Sequence, residues 1–429
     1  MLEKLKVELF SESLKHKFRV SKNDFTRTRK QQFSCILLFM LNMLRKSLSL
    51  EIENFVSFLK LKTHQKFTKS AFVQARMKIS PEVFEHLSQT LTNEFYTDNQ
   101  LGVKLWKGFR LLAVDGSRIT LPITKELKQT YGETKNNTKT TLVQARCSVL
   151  YDIENNYVLD GTLAPLKKGE RELAISHLSN CKKGDLLIYD RGYPSYDFIH
   201  QHIERNLDYL IRVKISFSQL IIDFEKSKKR SLIVDIYPGK NTKLSDKTYD
   251  KNTPIQLRLI RVELAKGQVE VLMSSLLDSK TYPSSIFKKL YAKRWGVETF
   301  YDELKNKLKV EHFSGYSNRS ILQDFYAALF ISNIQTLIVN EINDEKQNNS
   351  KKRKYQYKVN TNLSYGFLKN RVLELFFTEK SMEKVIYELK VLYKENQVPI
   401  RPNRSFERNT GKYRTRIKPK ITKNQKDSI

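Results

Sequence analysis

Cysteine is scarce. The three residues, Cys35, Cys147 and Cys181, are odd in number and far apart, which excludes a disulfide framework and a CxxC zinc site and favours a reducing compartment. Glycine (14) and proline (10) are too few for a fibrous or low-complexity chain. Long apolar runs are also missing. The longest, Cys35 to Leu41, falls far short of the roughly 20 residues that a membrane span needs. The opening MLEKLKVELF has no apolar stretch ahead of a small-residue cleavage site, so no signal peptide is expected. No P-loop or GxGxxG appears, no GxSxG elbow surrounds Ser117, and the seven His are scattered without metal-ligand spacing to Cys. Nucleotide-driven work, serine hydrolysis and zinc chemistry are therefore set aside.

Negative charge is in deficit as well. Lys and Arg number 77 against 46 Asp and Glu, a formal net charge of +31 over 429 residues. AT-biased coding, which raises Lys, explains part of this. A surplus so large repels itself unless polyanions are near, and points to nucleic acid, with a membrane surface as the lesser alternative. Hydrophobic residues at 40% and aromatics at 11% suffice for a real core. The length suits roughly three folding units or one large domain with insertions.

The texture along the chain changes twice. Residues 1–100 read as helical: Ile36, Leu37, Phe39, Met40, Met43 and Leu44 have helical spacing, Ser70–Lys78 forms a second helix, and Ser80-Pro81-Glu82 starts a third. Basic Lys69, Arg76 and Lys78 suit either DNA docking or a solvated face. From about Phe109 strands take over: FRLLAVDGS, the hairpin TTLVQARCSVLYD–NNYVLDGTLAP, GDLLIYDRGYP and DYLIRVK, with a helix at Glu170–Leu178 whose His177 reads as packed or solvated. Residues 216–280 alternate β-like segments with charged turns. Helices are expected at 283–310, 320–343 and about 365–395. Residues 346–360 read as a basic loop. The stretch 401–429, with ten Lys/Arg against two Asp/Glu, reads as a disordered basic tail.

Chemistry concentrates at three places. Asp115 (LLAVDGS) and Asp190 (LLIYDRGY) each end an apolar strand, and carboxylates at strand ends sit at the rim where α/β sheets bind ligands. A turn-capping role would equally explain either one alone. The third place is the expected helix 283–310. At about 100° per residue, with Tyr291 at zero, Arg294 falls near 300°, Glu298 near 340° and Lys305 near 320°. These four share an arc apart from the stripe of Ile286, Leu290, Val297, Phe300, Leu304 and Leu308. A surface helix with an Arg294–Glu298 ion pair is the ordinary alternative. Two strand Asp and a helix Glu can hold two divalent metals, and two such ions suit in-line phosphoryl displacement.

The combination resembles the DDE triad of IS4-type transposases. Tyr291 to Lys305 matches the Y-(2)-R-(3)-E-(6)-K signature, Asp190-Arg191-Gly192-Tyr193 matches the second-Asp neighbourhood, and Asp115-Gly116-Ser117 the first. The 108 residues from Asp190 to Glu298 are similar to the family's habit of inserting a β-rich subdomain there. The resemblance implies an α/β fold: a ribonuclease H-like catalytic domain (101–215 and 281–345), a β-rich insertion (216–280), a helical N-terminal DNA-binding region (1–100) and a helical C-terminal region (346–400). It implies Asp115, Asp190 and Glu298 as catalytic metal ligands for two Mg²⁺, with Mn²⁺ as substitute. Tyr291, Arg294 and Lys305 would grip the DNA end, Trp295 would stack an extruded base, and Arg191 and Tyr193 would line the cleft. Trp295 has a core helix position as its alternative, and Arg191 and Tyr193 a purely structural turn. The implied activity is cut-and-paste transposition through a hairpin intermediate. The partners would be double-stranded DNA and a second copy of the chain, with no membrane, in the bacterial cytoplasm at the nucleoid. The helix 365–395 is a candidate dimer surface. A transposase-derived DNA-binding protein that no longer cuts, and another metal nuclease on the same scaffold, are the alternatives.

Overall fold

The apolar runs between residues 110 and 274 pair side by side. A computed structural model describes residues 1–27, 32–60, 66–98, 102–135, 141–239, 242, 250, 252–264, 267–347, 355–401 and 428–429. Among these residues nine strands form one sheet: β1 (Arg110–Leu121), β2 (Glu133–Lys135), β3 (Thr141–Asp152), β4 (Val158–Pro165), β5 (Asp185–Tyr189), β6 (Asp208–Val213), β7 (Ser231–Ile236), β8 (Ile255–Glu263) and β9 (Val269–Ser274). Their order is β2-β3-β1-β5-β6-β9-β8-β7, with β4 paired to β3. Of these pairs, β1–β5 and β5–β6 are parallel and the rest antiparallel. The expected hairpin is β3–β4, whose turn is held by Asp152 Oδ1 accepting from the N–H groups of Glu154 and Asn155.

The β-rich segment after residue 216 is not a detached unit. β9 pairs with β6, from Leu210↔Ser274 to Val213↔Val271, so β7–β9 prolong the central sheet. Both faces of β8 and β9 are covered. Leu257, Leu259, Val271 and Met273 join one core cluster, while Ile260, Val262 and Leu272 join another.

Among the described residues, six helices precede the sheet: α1 (Leu2–Leu9), α2 (Glu12–Phe18), α3 (Phe33–Leu41), α4 (Leu48–Phe58), α5 (Lys69–Arg76) and α6 (Glu82–Asp98). Four lie among the strands: α7 (Lys125–Tyr131), α8 (Glu170–His177), α9 (Tyr196–Glu204) and α10 (Gln219–Lys226). Six follow them: α11 (Phe287–Ala292), α12 (Trp295–Asp302), α13 (Asn318–Gln347), α14 (Thr361–Leu368), α15 (Arg371–Phe377) and α16 (Met382–Glu395). All nine residues of α3 are buried, which makes it a core helix rather than an amphipathic one. The N-terminal helices, α12, α13, the C-terminal helices and one face of β1 and β3 contribute to a single hydrophobic cluster. A buried polar contact reinforces this union. Arg76 of α5 pairs with Asp324 at 2.9 Å and donates to Gln323 Oε1 at 2.8 Å, both on α13.

Two helical expectations are corrected. The span 283–310 is broken between α11 and α12 and again after Asp302. The span 365–395 is three short helices, interrupted at Asn370, whose φ is +65°. Met382, Val385, Leu389 and Tyr393 turn one side of α16 into core, which leaves less of it for a dimer surface. Within the expected basic loop, Gln356–Val359 is a strand, β10, paired with β11 (Gln397–Ile400). Residues 348–354 and 402–427, which carry the rest of that loop and nearly all of the basic tail, lie outside the described residues. Ser428, at its end, donates to Asn362 O on α14 at 2.6 Å. Among the described residues one helical span, Asn318–Asn343 within α13, is long and apolar enough to cross a membrane by length and composition, but 78% of its most apolar window is buried inside the protein.

Candidate active site

Asp115 sits in the middle of β1, not at its end as the apolar run suggested. The antiparallel ladder with β3 continues through Asp115↔Val149 to Leu121↔Val143. On the other side, β1 pairs with β5 only over Arg110–Ala113, ending at Ala113↔Ile188. Two residues beyond that last pair, Asp115 and Asp190 stand next to each other with the same parity, hence on the same face. The printed pairing of β1 with β5 has ended at that level.

Helix α12 closes this face. Val297, Phe300 and Tyr301 are its buried side. Tyr301 donates from its hydroxyl to Asp115 O at 2.7 Å and to Cys147 O at 3.2 Å, which pins the helix to β1 and β3. Glu298, one turn earlier, then faces Arg294, whose Nη2 donates to Glu298 Oε1 at 2.5 Å. The other guanidinium nitrogen, Nη1, lies 3.6 Å from Asp115 Oδ2. Tyr291 donates to Asp190 Oδ1 at 3.3 Å. Lys305 Nζ donates to Ser117 Oγ and to Arg118 O, both at 2.7 Å. The structure therefore brings together six expected residues: Asp115, Asp190, Tyr291, Arg294, Glu298 and Lys305.

They meet although the helix is irregular. Between Lys293 and Val297 the N–H groups of Arg294, Gly296 and Val297 bond three residues back, which tightens the turn. From Glu303 the turn widens, and the Leu308 N–H reaches five residues back to Glu303 O at 3.0 Å. A tight turn gains rotation per residue and a wide one gives it back, so an even 100° wheel still placed the four residues on one face.

Charge is concentrated here. Burial pushes the Asp115 carboxyl up to about 6. The Gly116 N–H and Arg294 oppose that shift, while Glu298 and Asp190 add to it. Arg294 is 5% exposed. Burial works against its charge, yet Tyr291, Glu298, Asp115 and Asp190 together hold it above its ordinary value. Burial also raises the Tyr291 hydroxyl.

The remaining expected residues divide. Trp295 is half exposed, beside the Arg294 guanidinium at 5.9 Å, so it is a surface group and not a core tryptophan. Arg191 is exposed in the turn after Asp190. Tyr193 is a correction. It is 2% exposed and packs against Tyr189 at 5.1 Å and Phe198 at 5.8 Å, which makes it a structural residue of the turn and removes it from any surface that touches DNA.

Sequence reasoning missed Arg212 on β6. Its Nη1 lies 2.8 Å from Glu270 Oε1 and 3.9 Å from Asp190 Oδ1. The available signal was a charged residue inside an otherwise apolar strand. It also missed Glu170, paired with Arg146. A Cβ on Gly116 would come within 3.3 Å of Glu170 Cγ, so a larger residue there would displace the Glu170 side chain.

Residues 106–334 match the family model described as Transposase DDE domain. The chain belongs to that family, and its resemblances are of the IS4 type. It is 22% identical over 280 residues to the transposase InsG for insertion sequence element IS4 of Escherichia coli (strain K12), covering 62% of this chain and 60% of that protein. It is 26% identical over 133 residues to the putative transposase InsZ of the same organism, covering 30% and 44%. The chain thus spans about half the length of these relatives. A cryo-EM structure of the piggyBac transposase synaptic complex with hairpin DNA is similar over 90% of this chain and 84% of that one, at a TM-score of 0.45 and 10% identity.

Proposed function

We propose that this protein is a DNA transposase of an insertion sequence that cuts and joins DNA strands with Asp115, Asp190 and Glu298 as its catalytic carboxylates. The observation that carries the reading is the meeting of these three, from two neighbouring strands and one helix, around the Arg294 guanidinium. The strand order β4-β3-β1-β5-β6, with an antiparallel meander leading into two parallel pairs, supports assigning residues 101–215 and 281–345 as a ribonuclease H-like catalytic domain. On this reading 216–280 is its insertion, and the helices of 1–100 read the ends of the element.

The three carboxylates fit a divalent cation in donor type, because Mg²⁺ and Mn²⁺ prefer hard oxygens. Arg294 marks the place where Asp115 and Glu298 hold positive charge. Among the described residues no three acidic, His or Cys side chains are close enough to ligate one ion, so the guanidinium has to move aside for Asp115, Asp190 and Glu298 to converge. Bound metal would activate the attacking oxygen and neutralise the charge of the leaving one. Tyr291, Arg294 and Lys305 hold the phosphates of the cleaved strand, and Arg294, freed from Glu298, has the planar donor pair for a phosphate. Trp295, exposed beside them, offers a stacking face for a base drawn out of the duplex. Arg191 adds charge at the mouth.

We assign a cut-and-paste reaction in which a freed 3′-OH attacks the opposite strand to form a hairpin, water opens that hairpin, and the regenerated 3′-OH joins target DNA, carried out by two copies of the chain on paired ends in the cytoplasm. Cleavage of DNA from both sides of the gene under Mg²⁺ tests it. Discrete cuts at a repeated terminal sequence, with hairpinned ends and none from Glu298→Gln, are the expected result. Binding without cuts under both Mg²⁺ and Mn²⁺ would move the assignment to a DNA-binding descendant.

A further inference from the structure

The turn that carries Lys305 is a π turn, Glu303–Lys307, in which Leu308 N–H donates to Glu303 O and Val310 N–H to Leu304 O, both at 3.0 Å. Turns of this width are rare, carry poorer backbone packing, and occur chiefly where function has a use for them. Two contacts from distant parts of the chain hold this one. The Tyr365 hydroxyl of α14, fully buried, donates to Glu303 Oε1. Arg45, just after α3, donates from Nε to Leu308 O at 2.6 Å. One contact grips the first residue of the wide turn and the other the residue that closes it. Glu303 is half-buried and turned away from the catalytic carboxylates toward α14. Burial pushes its carboxyl up to about 7, with the Tyr365 hydrogen bond and Lys358 opposing that shift.

We infer that Tyr365, Glu303 and Arg45 are positioning residues that fix the rotation of the π turn so that Lys305 Nζ meets Ser117 and Arg118 beside Asp115, which makes the C-terminal helices part of the grip on the DNA end. This rests on the role proposed above for Lys305. Without the two clamps, the segment would relax toward the α-helical path that its own residues favour. Lys305 would then swing about the helix axis, away from β1. Neither clamp touches a carboxylate of the triad, so their effect is confined to how the DNA is held.

The test uses the full chain and duplex DNA from the flank of the gene. Salt dependence of binding and single-turnover cleavage are measured for wild type, Lys305→Ala, Tyr365→Phe and the double variant. Lys305→Ala is expected to lower the slope of log affinity against log salt by about one. Tyr365→Phe is expected to lower it by a similar amount and to slow cleavage about 10-fold or more, as a misplaced binding group does. The double variant should be no worse than Lys305→Ala alone, the mark of two residues acting through one contact. Additive losses, or a wild-type slope for Tyr365→Phe, would overturn the inference. An unchanged slope for Lys305→Ala would instead sink the phosphate-holding role on which it stands. Should Tyr365→Phe fold poorly, Glu303→Gln and Glu303→Ala repeat the comparison. The first still accepts from Tyr365 and should keep the wild-type slope. The second cannot and should lose it, and equal slopes for the two would again overturn the inference.

Discussion

Two trios of chemically capable residues are built on the same sheet and a helix packed against it. One is Asp115, Asp190 and Glu298. The other is Ser148, His177 and Asp160, in which His177 Nδ1 lies 2.7 Å from Asp160 Oδ2 and Nε2 lies 2.9 Å from Ser148 Oγ. On distances alone the Ser148 trio is the better candidate for an active site, because it has the relay of a serine hydrolase. Ser148 and His177 are fully buried, however. Asp160 is further occupied by Asn180 Nδ2 at 2.9 Å and the Gly161 N–H at 2.8 Å. Nothing can reach the serine. In the carboxylate trio the Asp190 side chain is 37% exposed and that of Glu298 28%. Reachable acceptors are what make the carboxylates the candidate site. The Ser148 trio has comparable geometry without access, and serves as a core cross-link between β3, β4 and α8.

The sharpest way to break this comparison is to disable each trio in turn. Glu298→Gln should reduce DNA cleavage by about 1000-fold, roughly 4 kcal/mol of barrier, while gel-shift affinity stays within about twofold. Persisting cleavage would remove Glu298 from the chemistry. Another closed histidine extends the contrast to pH. Tyr189 and the Phe198 carbonyl hold His202 on both ring nitrogens, at 2.7 and 2.8 Å, and burial pushes its pKa down to about 4. In the unfolded chain it titrates near 6.5. Between those values only the unfolded chain binds the proton. The stabilisation is therefore complete above pH 6.5 and is lost as the pH falls toward 4, a total of about 3 kcal/mol. Denaturant midpoints across that window should fall for wild type and flatten for His202→Gln.

Ser148→Ala sharpens the comparison from the other side. It should leave cleavage within about twofold and cost about 1–3 kcal/mol of stability, since His177 Nε2 loses its partner in the core. Lost cleavage in a folded Ser148→Ala protein would show that the closed trio reaches the reaction. The smallest effect belongs to Arg191→Ala. It should weaken binding alike for all sequences and reduce the salt slope by about one, which a titration at three or four salt concentrations resolves.

Much of this arrangement is legible in the sequence, for identifiable reasons. Strands covered on both faces read as apolar runs, so β1, β5 and β6 stand out. The Asp-Gly, Asp-Arg-Gly-Tyr and Tyr/Arg/Glu/Lys patterns locate the site. The stretch Asp115–Thr120 reads as a turn because its residues are polar, yet β3 holds it in a ladder to Leu121. The breaks around α12 contain no proline and only Gly296. The wider one depends on Tyr365, 62 residues further on, which no local pattern reveals. Asn370 ends a helix that periodicity carries through, by adopting a left-handed backbone. Tyr193 belongs to a surface motif by position, but its ring fills the gap between Tyr189 and Phe198.

The shared hydrophobic cluster has a genetic consequence. Leu5 of α1, Phe39 of α3, Phe330 of α13 and Leu389 of α16 all belong to it, so the outer thirds of the gene encode the floor beneath the middle third. A stop codon after α13 would strip α14–α16, with Leu389, from that cluster and should lower the stability of the whole fold, not of the C-terminal helices alone.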